Sequence, residues 1–170
     1  EPVQGEGGMN TPDIQYLQDL RATADEFGLL LFLDEVQSGA GRTGKFWAYE
    51  WGGIEPDVVA VAKGIGGGFP MGAVMATEEA AFCMTAGLHG STFGGNQLAM
   101  AASHAVLDIL LADGFLDQID MVARDLQLKL DGLVKSHPDV FESWRGMGLM
   151  LGLKCAVPNL KMMTRLREAG

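Results

Sequence analysis

Two stretches decide the fold: Leu29-Leu30-Leu31-Phe32-Leu33-Asp34-Glu35-Val36-Gln37, and Val58-Val59-Ala60-Val61-Ala62-Lys63-Gly64-Ile65-Gly66-Gly67-Gly68. Each is a short apolar run that ends in charge. A short, wholly apolar run suits a strand covered on both faces, as in a parallel sheet. Before the first run, Thr11-Pro12-Asp13 reads as a helix start, with a capping hydroxyl and Pro in the first turn. Ile14, Leu17, Leu20, Ala24 and Phe27 then recur at helical spacing, and Gly28 closes the helix. Ala73–Ala76 reads as a third, edge-like strand. Helix and strand in alternation predict an α/β sheet. Ligands bind such sheets beyond the carboxyl ends of the strands. Asp34 and Lys63 both fall there.

Beyond Gly95 the pattern turns helical. Helices are predicted over 96–111, 116–134 and 159–169, and a strand over 147–153. A domain boundary is placed near residue 120, with 1–120 in one domain and 121–170 opening a second. The chain begins Glu1-Pro2-Val3 without Met and stops at Glu168-Ala169-Gly170, which reads as a piece of a longer protein.

Apolar residues make up 48% of the 170, enough for a sizeable core, and the 24 glycines point to tight turns and close backbone approaches. The net charge of −10 makes nucleic acid and anionic membrane poor partners. No run is long and apolar enough for a transmembrane helix, and no signal peptide is visible. Cys83 and Cys155 have no metal-ligand spacing; both read as buried hydrophobes of a cytoplasmic protein. The ten methionines read as core filler.

The chemistry centres on Lys63. Desolvation favours the neutral amine of a lysine, which can attack an aldehyde. The glycines after it leave room for a planar group. Taken alone, a lysine at a strand end also fits an ordinary solvated charge. Asp34 is costly to bury unpaired, and a protonated ring nitrogen would pair it; a surface acid is the alternative. The small-residue loop Gly90-Ser91-Thr92-Phe93-Gly94-Gly95-Asn96 leads into a helix and suits a phosphate, or else is a plain connector.

Taken together, the blocks Glu1–Gly8, Leu33–Gly39, Gly41-Arg42-Thr43-Gly44, Pro56-Asp57, Ala62–Pro70, His89–Asn96 and Arg145–Leu149 resemble the class III aminotransferases in identity, order and spacing. The resemblance implies fold type I of the pyridoxal-phosphate (PLP) transferases: the C-terminal half of the large parallel-sheet domain, plus part of the small α+β domain. It implies a homodimer with shared active sites, and amino transfer from N-acetylornithine or a similar ω-amino donor to 2-oxoglutarate, in arginine biosynthesis. Ornithine, succinylornithine or 4-aminobutyrate as donors, an aminomutase, and a non-catalytic piece that only dimerises are the alternatives.

The resemblance also assigns roles. Lys63 would carry PLP and move the substrate proton. Asp34 would pair with the pyridine nitrogen, Val36 would pack on the ring, and Gln37 would contact the ring hydroxyl. Thr92 and Ser91 would reach the phosphate in the neighbouring subunit. Glu6 would gate the substrate pocket, with Glu1 as a second nearby acid and Arg42 in a structural loop. His89 would pack within its motif. Trp47, Trp51 and Trp144 would anchor domain or subunit contacts. Gln97 departs from the family's usual Pro at a helix opening, a change the position tolerates.

Overall fold

The computed structural model describes residues 1–170. Helix α1, Ile14–Phe27, leads into β1, Phe32–Asp34. Its N-cap is Asp13, whose side chain accepts from the Gln15 amide. This corrects the expectation for Thr11, whose Oγ1 is buried without a partner. Gly28 ends the helix in the left-handed conformation, as predicted.

Strand β2, Val58–Ala62, pairs parallel to β1 with Asp34 opposite Ala60. Strand β3, Gly72–Ala76, pairs antiparallel to β2, so the order is β1-β2-β3. Leu17, Ala24, Leu31, Leu33 and Ile54 form the core between α1 and one face of this sheet. The other face is open: Phe32 is 59% exposed and Val74 68%. The expectation of a five-residue strand covered on both faces is therefore corrected. Leu29 and Leu30 are exposed in the exit from α1, where the Leu29 amide still bonds to the Ala24 carbonyl. No element of this chain lies over Phe32 and Asp34.

A short helix α2, Glu78–Ala81, follows; residues 82–98 are all exposed. Helix α3, Gln97–Leu110, is capped by Asn96, which accepts from the Ala99 amide; Gln97 is its first residue. Helix α4, Phe115–Ser136, packs against β4, Phe141–Met147, which turns back through Gly148 into β5, Met150–Cys155. One strand was expected here, and the structure has an antiparallel hairpin. The reason is Gly148 at φ 56, a turn residue inside the apolar run. Trp144 anchors β4, its Nε1–H donating to Asp131 on α4 at 2.7 Å. Helix α5, Asn159–Ala169, closes the chain as predicted.

The accessible surface is 11134 Å², against about 8,100 Å² for a compact monomer of this mass. That excess explains two further corrections. Cys83 is exposed and Cys155 only partly covered. Among the methionines only Met150 is in the core, while Met84, Met121 and Met163 face outward. No single helix is long and apolar enough to cross a membrane.

Candidate active site at the strand ends

The site is built on the carboxyl ends of β1 and β2. Alternation along β1 puts Leu31, Leu33 and Glu35 on the covered face, and Phe32 and Asp34 on the open one. Asp34 is exposed, with Oδ1 accepting from the Val36 amide at 2.9 Å. The buried acid is its neighbour. Glu35 is fully buried and accepts from Ser38 Oγ at 2.5 Å and from the Tyr49 amide at 2.9 Å. Burial holds the Glu35 carboxyl above its ordinary range, against the hydrogen bonds from Ser38 and from the Tyr49 and Ala48 amides. The Asp34-Glu35 pair thus splits its roles by face, and the sequence reading missed Glu35.

Lys63 ends β2 and opens a 3-10 turn, Lys63–Gly66. Its φ is 49. The left-handed region costs an L residue roughly 1–2 kcal/mol, and such outliers gather at functional sites. Lys63 is exposed, so the apolar pocket expected around it is not supplied by this chain. It lines a groove of about 460 Å³ with Gln37, Ala40, Arg42, Phe115 and Leu149. Lys63 is thereby brought together with Gln37 and Arg42, from the loop after β1.

Half-buried Gln37 lies against Gly5, where its amide and the Met150 methyl leave no room for a side chain. Arg42 acts through its main chain: its carbonyl accepts from the Leu149 amide at 3.0 Å, joining the 41–44 loop to the β4–β5 hairpin.

Other predicted residues lie apart. Glu6 is on a separate groove of about 680 Å³ with Arg145, Lys154 and Cys155. Glu1 lies in a smaller cleft beside Phe32 and Leu33. Ser91 and Thr92 stand on the exposed 82–98 segment, away from Lys63's groove, in a tight turn closed by the Gly94 amide on the Ser91 carbonyl. His89, expected to pack, is exposed there too.

The residues at the strand ends fit PLP. Asp34 offers a carboxylate acceptor on an open face flanked by the small side chains of Ala60 and Ala62. Gln37 can donate a hydrogen bond, and Lys63 supplies an amine at the same sheet edge.

The chain belongs to the class III aminotransferases, whose family model, "Aminotransferase class-III", matches residues 1–170. Within that family it is 58% identical to the acetylornithine aminotransferase of Mesorhizobium japonicum over 99% of this chain and 42% of that protein. Among solved structures, the ornithine aminotransferase of Toxoplasma gondii superposes with a TM-score of 0.92 at 30% identity, over 99% of this chain and 41% of that one. An amine transaminase from an uncultivated Pseudomonas species, solved in its PLP-bound form, matches at TM-score 0.79 and 35% identity, over 86% and 35%. The expected fold type I architecture is met. The chain spans about 42% of the curated relative it matches.

Proposed function

We propose that this chain carries the lysine and the ring-binding residues of a PLP-dependent aminotransferase that moves an amino group from N-acetylornithine to 2-oxoglutarate, in arginine biosynthesis. The observation that carries the reading is Lys63 held in a left-handed backbone at the end of β2, one strand from Asp34 and in one groove with Gln37. The acetylornithine assignment is supported by the 58% identity to a protein of that name.

PLP, when bound, supplies an aldehyde and an electron-accepting ring. The amine of Lys63 would hold the aldehyde carbon and would move the proton at the substrate Cα. Asp34 keeps the ring nitrogen protonated by pairing with it. Gln37 would donate to the ring hydroxyl oxygen, and Val36 would pack on the ring. Ser91 and Thr92 would donate to the phosphate held mainly by a second subunit; their exposure, on a segment that does not line Lys63's groove, supports this homodimer reading. Glu6, beside Arg145 in its own groove, governs entry of the substrate's distal end.

The boundary between the large domain, 1–120, and the small one, 121–170, runs through α4, which packs on the β4–β5 hairpin. We place the protein in the cytoplasm, on the strength of two cysteines that form no disulfide.

The test is a panel of amino donors given to the protein as its gene encodes it, with 2-oxoglutarate as acceptor. N-acetylornithine should have the highest kcat/KM. A clear preference for ornithine or 4-aminobutyrate would overturn the donor assignment, and no amino transfer with any donor would overturn the reaction class.

A further inference from the structure

We propose that Glu35 is a positioning residue for the cofactor site, clamping the turn that carries Asp34, Val36 and Gln37 onto the body of the domain. The inference rests on the PLP reading above and extends it to a side chain that touches no part of the proposed cofactor site.

The clamp has three parts. The Glu35 amide donates to the Ala60 carbonyl at 2.8 Å, continuing the β1–β2 ladder one residue past Asp34. The Glu35 carbonyl accepts from the Gly39 amide at 3.0 Å, closing the turn. The carboxylate, 0% exposed, accepts from Ser38 Oγ at 2.5 Å and from the Tyr49 amide at 2.9 Å, with the Ala48 amide also directed at it. Val36 and Gln37 thus lie on a turn pinned at both ends, and the Val36 amide in turn holds Asp34 Oδ1.

Packing seals the clamp. A side chain at Gly39 would collide with the Glu35 carbonyl at 2.8 Å and approach Trp47 at 3.1 Å. Trp47 stacks on Tyr49 with centroids 6.1 Å apart. No lysine or arginine pairs with Glu35. A buried carboxylate without a countercharge is costly, and here neutral donors converge on it from both sides of the turn. That arrangement fixes geometry at the expense of stability, as expected of a group supporting a binding site.

The experiment uses the protein as its gene encodes it, titrated with PLP. The readouts are dissociation constant and the visible circular dichroism of bound PLP, which reports ring orientation. Glu35→Ala should weaken PLP binding about tenfold or more and lose most of the visible dichroism. Glu35→Gln keeps an acceptor for the Tyr49 amide and can donate to Ser38 Oγ, so it should stay within about threefold of wild type in affinity and keep its dichroism. A folded Glu35→Ala protein with wild-type affinity and dichroism would overturn the proposal. If Glu35→Ala does not fold, Ser38→Ala decides: reduced dichroism supports the clamp, and unchanged dichroism overturns it. Wild-type protein that binds no PLP would instead overturn the underlying cofactor reading.

Discussion

Gly148 rests directly on the main chain of Thr43, with no space for a side chain between them. The Leu149 amide beside it bonds to the Arg42 carbonyl at 3.0 Å. The hairpin turn is thus seated on the loop that walls the groove of Lys63. Gly148 also needs its left-handed φ of 56. Gly148→Ala should cost about 1–3 kcal/mol, read as a lower midpoint in urea with unchanged slope. A stability equal to wild type would show that the hairpin is not held there.

Arg21 and Asp57 join α1 to the sheet. Arg21 Nη1 lies 2.7 Å from Asp57 Oδ2, which also accepts from the Leu31 amide at 2.7 Å. Arg21, then the Leu31 amide, hold the Asp57 carboxyl below the usual carboxylate range. The folded state therefore binds this proton less readily than the unfolded one. The stabilisation is complete above the unfolded pKa and is lost as pH falls through the lower folded value. Asp57→Asn should cost about 1 kcal/mol at pH 7 and flatten the acid limb of the stability curve. An acid limb as steep as wild type's contradicts the pairing.

Glu35 works in the opposite sense. Burial raises its pKa above the ordinary 4.5, so the folded state keeps a proton that the unfolded state has released. Stability then falls as pH climbs from the unfolded value through the raised folded one, and the penalty is full above it. Glu35→Gln removes that titration. Chemical denaturation at a series of pH values should show a shallower decline for the variant across this window; a parallel decline would mean that another group is responsible.

Gly5 makes room for Gln37. A methyl at Gly5 would collide with Gln37 Oε1 and meet Met150 Cε at 3.0 Å. Gly5→Ala should displace Gln37 from the groove of Lys63 and weaken PLP binding about tenfold, with little change in melting temperature. Unchanged affinity would remove Gln37 from the proposed set of cofactor contacts.

How far the sequence could be read depended on how local each feature is. Gly28 and the 159–169 helix follow from neighbouring residues, and both stand as predicted. The sheet edge carrying Asp34 and Lys63 was legible because two apolar runs each end in charge. Coverage was not legible: Leu29, Leu30 and Phe32 are apolar, yet whether they are buried depends on what lies over them, and nothing in this chain does. Glu35 was missed for a related reason. Next to Asp34 it looks equivalent, and only the distant 47–52 segment, whose amides meet its carboxylate, marks it as the buried one. The hairpin was read as one strand because Gly148, whose left-handed φ makes the turn, sits in an otherwise apolar run.

The most direct test of the account is the site of cofactor attachment. The protein as its gene encodes it, loaded with PLP and reduced with borohydride, should carry one pyridoxyl group, found on Lys63 by peptide mass mapping. The Lys63→Ala protein should carry none and should lack the visible absorbance of lysine-bound PLP. A pyridoxyl group on another lysine, or visible absorbance that survives in Lys63→Ala, would contradict the assignment of Lys63.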